Sequence, residues 1–174
     1  MKPLKIAFIG PNTSICSESL YEFGVELGRR ICRRNRVFLC GGMGGWMESA
    51  CKGVKLSPAT WDGQTIGILP GETAESANPF IDITIPTGMG IARNAIIVNT
   101  ADVIIAAGGG AGTLSEIAFA WQRQKPVLCV IGFGGWAAQL AGQALDARQA
   151  GLLIAMDGID AIDRYLDAHE KVAT

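Results

Sequence analysis

Ala107-Gly108-Gly109-Gly110-Ala111-Gly112-Thr113-Leu114-Ser115-Glu116 follows the apolar run Val103-Ile104-Ile105-Ala106 and leads into helical apolar spacing that runs from Thr113 to about Gln124. A strand, a glycine cluster and a helix in that order suit the holding of an anion. Gly108, Gly109, Gly110 and Gly112 lack a Cβ, so successive N–H groups can turn into one concavity, and the helix behind them points the positive end of its dipole at the same spot. Phosphate is the natural occupant. A Walker A loop requires Lys-Ser/Thr after its last glycine, whereas Gly112 is followed by Thr113-Leu114. The dinucleotide fingerprint requires a glycine where Thr113 stands and belongs on the first strand of its fold. With both excluded, the motif is Gly-Gly-x-Gly-Thr-x-x-Glu. Thr113 offers a hydroxyl at the predicted helix start, and Glu116 lies one turn in, beside any sugar attached to the anion. Thr-x-x-Glu is equally a capping box that satisfies orphan N–H groups, so both roles stay open.

Around this junction, short apolar runs at 4–9, 37–40, 65–69, 81–85, 102–107, 127–131 and 152–155 alternate with helical patterns near 15–34, 44–55, 89–100, 113–124, 136–149 and 159–169. The alternation predicts an α/β fold: one Rossmann-like domain over residues 1–174, its doubly wound, mostly parallel sheet covered by helices on both faces. Most strands are continuously apolar, as expected when both faces are buried. Glycine or proline follows most of them, at Gly10-Pro11, Gly41-Gly42, Pro70-Gly71, Pro86-Thr87-Gly88, Gly108 and Gly132. These loops should gather at the carboxyl edge of the sheet, where ligands of such folds bind. The loops Gly10–Ser14 and Gly41–Gly45 read either as ligand walls or as a helix cap and a tight turn. Trp46 and Met47 read as helix packing, and the polar stretch 71–78 as a surface loop rather than a lid. Ile159, Ile162 and Leu166 have the spacing of a terminal helix packed as a cover.

With 174 residues and 49% hydrophobic content the chain can bury a substantial core, and its net charge of −1 offers no general attraction to nucleic acid or to an anionic membrane. Anion recognition must then be local. The basic run Arg29-Arg30-Ile31-Cys32-Arg33-Arg34-Asn35-Arg36 falls at a predicted helix end, where cations complement the dipole, and reads as solvated. Cys16, Cys32, Cys40, Cys51 and Cys129 are odd in number and lack a Cys-x-x-Cys pair, which argues against a disulfide framework or zinc ribbon and for a reducing cytoplasm. No cleavage pattern or membrane-length apolar stretch is present, so a soluble cytoplasmic protein is expected.

Ile91-Ala92-Arg93-Asn94-Ala95-Ile96-Ile97-Val98 is apolar around almost its full circumference. A sheet buries one face of a helix, so the surplus predicts a homo-oligomer, dimer or tetramer, joined through the helix around Ile91–Asn99. Arg93 within that surface needs a carboxylate or a ligand phosphate as partner, because an unpaired buried guanidinium is strongly destabilising.

Three segments occur in order: Cys40-Gly-Gly-Met-Gly-Gly-Trp-Met-Glu48, Thr87-Gly-Met-Gly-Ile-Ala-Arg-Asn94 and Gly108-Gly-Gly-Ala-Gly-Thr-Leu-Ser-Glu116. Over about Ile6–Pro126 the chain thereby resembles the Lonely Guy-like superfamily, once labelled lysine decarboxylases. Within it the likeness is to small bacterial Rossmann-like proteins grouped with the molybdenum cofactor carrier protein. Hydrolytic members cleave the N-glycosidic bond of nucleoside 5'-monophosphates. The resemblance implies that Gly109–Thr113 hold the 5'-phosphate, that Glu116 engages the ribose and steadies an oxocarbenium-like transition state, and that Arg93 orients the ligand or leaving base. It makes Arg93 and Glu116 the catalytic candidates. The ligand-binding candidates are Gly10, Gly42, Met43, Gly44, Thr87, Met89, Asn94, Gly108, Gly109, Gly110, Ala111, Gly112 and Thr113. Gly108 replaces the motif proline and Asn94 the lysine after the arginine, which removes one positive charge.

Pyridoxal chemistry is argued against, since Lys2, Lys5, Lys52, Lys55, Lys125 and Lys171 all lie outside the glycine-rich strand ends. His169 is the sole histidine and falls in the last helix, so metal hydrolysis and a Ser-His-Asp triad are not supported and no metal site is expected. Three functions remain: a binder of a phosphorylated, nucleotide-like small molecule, with phosphoribohydrolase activity open to it and no required cofactor; a non-catalytic carrier with molybdenum cofactor as its ligand; or a nucleotide sensor that binds without turnover.

Overall fold

The computed structural model describes residues 2–147 and 152–172. Seven strands, β1 (Leu4–Ile9), β2 (Arg36–Cys40), β3 (Thr65–Leu69), β4 (Ile83–Pro86), β5 (Val103–Ala107), β6 (Val127–Val130) and β7 (Leu153–Met156), form one sheet in the order β4-β3-β2-β1-β5-β6-β7. Every pairing is parallel. The α/β, Rossmann-like expectation holds, and each strand lies within two residues of its apolar run. Chain order reverses between β1 and β5, where Ile6 faces Val103 and Ile9 faces Ala106. Such a switch point opens a crevice at the carboxyl edge.

Among the described residues, six α-helices cover the sheet: α1 (Glu18–Ile31), α2 (Trp46–Lys55), α3 (Asn94–Thr100), α4 (Ala111–Gln122), α5 (Gly135–Leu140) and α6 (Ile159–Val172). One face buries Phe8 and Phe38 against Leu27, Ile31, Trp46 and Val54 of α1 and α2 and against Ile162 and Leu166 of α6. The other buries Ile9, Leu39 and Ile104 against Ile97, Val98, Ile117, Trp121 and Ala137 of α3, α4 and α5. All residues of β2 and β5 are buried, as the apolar runs Val37–Cys40 and Val103–Ala107 require. No helix among the described residues is long and apolar enough to cross a membrane.

Four expectations need correction. The pattern at 89–100 begins as a 3₁₀ turn over Gly90–Arg93 and becomes α-helical only at Asn94. The pattern at 136–149 is helical only over Gly135–Leu140; Gly142, at φ +75°, leads the chain out, and 148–149 lie outside the described residues. The pattern at 15–34 is an α-helix over Glu18–Ile31, capped by Ser17, whose hydroxyl accepts from the Leu20 amide at 3.2 Å. The basic run is not merely a solvated helix end. Arg36 is fully buried and its guanidinium pairs with Asp163 (3.4 Å), Asp167 (2.5 Å) and Glu170 (2.6 Å), while Arg33 meets Asp163 at 3.1 Å and Arg30 meets Asp160 at 2.8 Å. The cations dock α6.

Candidate functional site

The loop after β5 is built around its own backbone. Gly108 and Gly109 adopt φ +55° and +89°, a region that side chains resist. Their carbonyls accept from the first amides of α5: Ala137 N–H donates to Gly108 O at 3.0 Å and Trp136 N–H to Gly109 O at 3.1 Å. A planar trans peptide sets its N–H opposite its C=O, so the amides of Gly109 and Gly110 face away from α5. Helix α4 then starts at Ala111 with Gly110 as N-cap, and no side chain caps it. The amides of its first turn therefore lack intrahelical acceptors and project the positive end of a twelve-residue helix. This placement removes the capping-box reading: Thr113 and Glu116 both lie inside the helix, and both are buried.

A cavity of about 380 Å³ opens in front of these amides, at the low end of the about 300–1,000 Å³ usual for small-molecule sites. The predicted residues Gly10, Met43, Arg93, Asn94, Gly110, Ala111, Gly112, Thr113 and Glu116 all line it. Residues far apart in sequence converge here because their strands end on one edge. Gly110 and Gly112 are not imposed by packing, since a Cβ at either would meet nothing within 4 Å. Gly10 is, because a Cβ there would lie 2.5 Å from the Trp46 ring.

Arg93 is 6% exposed and reaches Glu116 with an Nη1–Oε1 separation of 3.7 Å. Its Nη1 also donates to Asn94 Oδ1, and its Nε has no partner among the described residues. Gly41 makes the guanidinium's room, since a Cβ there would lie 2.5 Å from Arg93 Nη2. Burial depresses the Arg93 pKa, against the opposing pull of Glu116. Burial pushes the Glu116 carboxyl up to about 7, with Arg93 pulling it down. Asn94 ties this pair to the helix start: its Nδ2 donates to Ser115 Oγ at 2.9 Å and to Gly112 O at 3.4 Å. At the position where the superfamily motif has lysine, a neutral amide braces α4.

Other predicted residues fall outside this cavity. Gly108 and Gly109 border a neighbouring one. Gly42, at φ +74°, turns the chain, its N–H donating to Cys40 Sγ at 3.3 Å and its carbonyl accepting from Asn78 at 2.8 Å. Gly44 packs against Thr13. Thr87 closes the turn after β4, its hydroxyl donating to Leu69 O at 2.7 Å and accepting from Met89 N–H at 3.2 Å. Met89 is largely exposed. Pro11 and Asn12 also line the charged cavity, from the Gly10–Ser14 loop read as a ligand wall or cap, whereas Ile15, Met47, Pro70, Gly90 and Ile91 do so without a ligand role expected of them. Proline at the end of β3 was a visible signal for Pro70, and Gly90 lies within the Thr87–Asn94 segment; nothing local marked Ile15. Trp46 is fully buried, as expected of helix packing. Residues 71–78 contribute nothing to the lining, and Asn78 pins their end by donating from Nδ2 to Met43 O at 3.0 Å.

The lysines do structural work elsewhere: Lys5 pairs with Asp102 at 2.9 Å, Lys55 with Asp82 at 2.6 Å, and Lys125 donates to the last carbonyls of the helix before β5. No group of three or more His, Cys, Asp or Glu suited to a metal occurs among the described residues.

Comparison with known proteins agrees with this architecture. A protein of Archaeoglobus fulgidus is 41% identical over 127 residues, 73% of this chain and 80% of that one. The molybdenum cofactor binding protein of the phototrophic bacterium Rippkaea orientalis superposes with a TM-score of 0.80 at 31% identity, covering 100% of this chain and 99% of that one. The molybdenum cofactor carrier protein of Chlamydomonas reinhardtii does so with a TM-score of 0.78 at 30% identity, covering 99% and 100%. The SLOG cluster4 family model matches residues 3–161, and the chain belongs to that family.

Proposed function

We propose that this protein binds and carries a phosphorylated small molecule of the molybdenum cofactor type, with the phosphate held by the amides at the start of α4 and by Arg93. One observation carries the reading: a buried guanidinium with an unpartnered Nε shares a cavity with the uncapped N-terminus of a twelve-residue helix. Neither Arg93 Nε nor the first amides of α4 has an acceptor among the described residues, and a phosphate supplies acceptors to each. The names of the two solved relatives support molybdenum cofactor as cargo. Recognition through phosphate and ring suits a site whose described residues offer no metal-ligand cluster.

A second reading rests on Glu116, whose carboxylate lines the same cavity about one turn along α4 from the amides. In it, water adds across the N-glycosidic bond of a nucleoside 5'-monophosphate and releases free base and ribose 5-phosphate, with Glu116 stabilising positive charge at the sugar. Burial disfavours the ionised form this requires near neutral pH. Calorimetric titration with molybdenum cofactor, beside an assay of base release from a panel of nucleoside 5'-monophosphates, separates the two. Cofactor binding without base release is the expected result. Base release that Glu116→Gln abolishes overturns the carrier reading in favour of hydrolysis.

The protein also assembles, on this reading, as a cytoplasmic homo-oligomer. Ile97 and Val98 are consumed by the core, but Ile91 is 69% exposed, and Ile83, Ile85 and Met89 on and beside the edge strand β4 are exposed as well. An exposed edge with large apolar side chains invites a second copy.

A further inference from the structure

Beside the charged cavity lies a second, of about 250 Å³, lined by Pro11, Ile15, Leu20, Phe133, the glycines 108–110 and 135, and Ser17. Pro11, Ile15 and Gly110 border both. The two differ in chemistry. The first contains Arg93 and Glu116; the second has Ser17 as its one polar side chain, and that hydroxyl already caps α1. Apolar side chains and bare backbone make up the rest.

Phe133 is the largest side chain of this wall and is held from behind. Its ring packs on Phe23 at 5.1 Å between centroids, and Phe23 stacks on the fully buried Trp46 at 6.2 Å with planes 19° apart. Gly132, Gly134 and Gly135, at φ +98°, +65° and +65°, flank Phe133 in a loop that other residues resist. That loop is locked to the anion loop. A Cβ on Gly135 would lie 2.3 Å from the Gly108 carbonyl carbon, and the next two amides bond the carbonyls of Gly109 and Gly108. The backbone on the C-terminal side of Phe133 is thus fixed against the loop that leads into α4. Gly110 lines both cavities, and a Cβ there would meet nothing within 4 Å.

We propose that the second cavity is the subsite for a flat heteroaromatic ring. The ligand is then a two-part molecule, its phosphate at the start of α4 and its ring against Phe133, with the connecting group crossing Gly110. The inference rests on the anion-binding reading above and adds where, and against which residue, the ring lies. Stacking on an aromatic side chain tolerates any ring with a π-face, so purines and pterins belong to the same class.

The test is calorimetric titration of the full-length protein with inorganic phosphate, ribose 5-phosphate, adenosine and adenosine 5'-monophosphate. In the wild type, adenosine 5'-monophosphate should bind at least about tenfold more tightly than ribose 5-phosphate, as loss of one stacking partner implies. Phe133→Ala should remove that advantage and leave phosphate and ribose 5-phosphate within about twofold. Phe133→Trp should restore it. Phe133→Leu keeps an apolar contact with Phe23 and should behave like the alanine variant, which separates stacking from local collapse. Equal affinity for adenosine 5'-monophosphate and ribose 5-phosphate, or an advantage that survives in Phe133→Ala, overturns the subsite. Phe133-dependent binding of adenosine with no binding of phosphate or ribose 5-phosphate keeps the ring subsite and overturns the anion reading. Absence of binding by all four overturns both.

Discussion

Glu116 and Arg93 are paired at 3.7 Å, yet neither is satisfied by the other. Burial raises the carboxyl from its ordinary 4.5 to about 7, so between those values the native state holds a proton that the unfolded chain has released. Stability therefore falls as pH rises through that window, by up to about 3 kcal/mol at the ~1.4 kcal/mol per unit of linkage. Glu116→Gln removes the titration. Urea unfolding at pH 5 and pH 8 should show the wild type losing stability relative to the variant; a constant difference would mean that Glu116 titrates normally. Gly110 tests the other half of the site. A Cβ there touches nothing within 4 Å, and its φ of −103° lies outside the left-handed region. Gly110→Val should melt within a few degrees of wild type while weakening phosphate binding about tenfold or more. Equal loss of folding and binding would count against the loop being a ligand site.

The helices α1 and α2 approach each other backbone to backbone. A Cβ on Gly28 would lie 2.0 Å from Ala50 O, and one on Gly53 would lie 2.1 Å from Val25 O. Gly28→Ala should force the pair apart and destabilise the protein by about 1–3 kcal/mol in chemical denaturation, the usual range for overpacking. Apolar continuity marked the strands at the sequence level because both faces of a parallel sheet are covered. Helix starts were harder to see. Thr113 and Glu116 have capping spacing, but the α-helix opens two residues earlier at Ala111, because α5 holds the carbonyls of Gly108 and Gly109 and leaves the following amides free. That partner is distant in sequence and left no local trace. Likewise the alanine-rich stretch after Trp136 reads as helix until Gly142 adopts a positive φ.

Beyond single elements, charge and edge chemistry organise the molecule. Arg36 was legible as basic but not as buried, since its partners Asp163, Asp167 and Glu170 lie on α6, more than 120 residues along the chain. Arg36→Ala should cost about 3 kcal/mol, within the range for breaking buried pairs, and expose α6 to limited proteolysis. An unchanged digestion pattern would show that Ile162 and Leu166 suffice to hold it. At the opposite edge, Ile85→Lys on β4 should reduce the sedimenting species to the 18.3 kDa monomer; a wild type already at that mass refutes the proposed assembly. Alternation of strands and helices is enough to gather the strand-end loops, Pro70 among them, whereas Ile15 joins the lining only through the three-dimensional path of the chain. The strand order has a temporal consequence as well. Since β1 pairs with β2 on one side and with β5 on the other, a ribosome that has released residues 1–86 has delivered every strand of one half, yet none of the amides proposed to grip cargo. Cargo can be gripped only after the first turn of α4 has cleared the exit tunnel, well after the β1–β4 half has emerged.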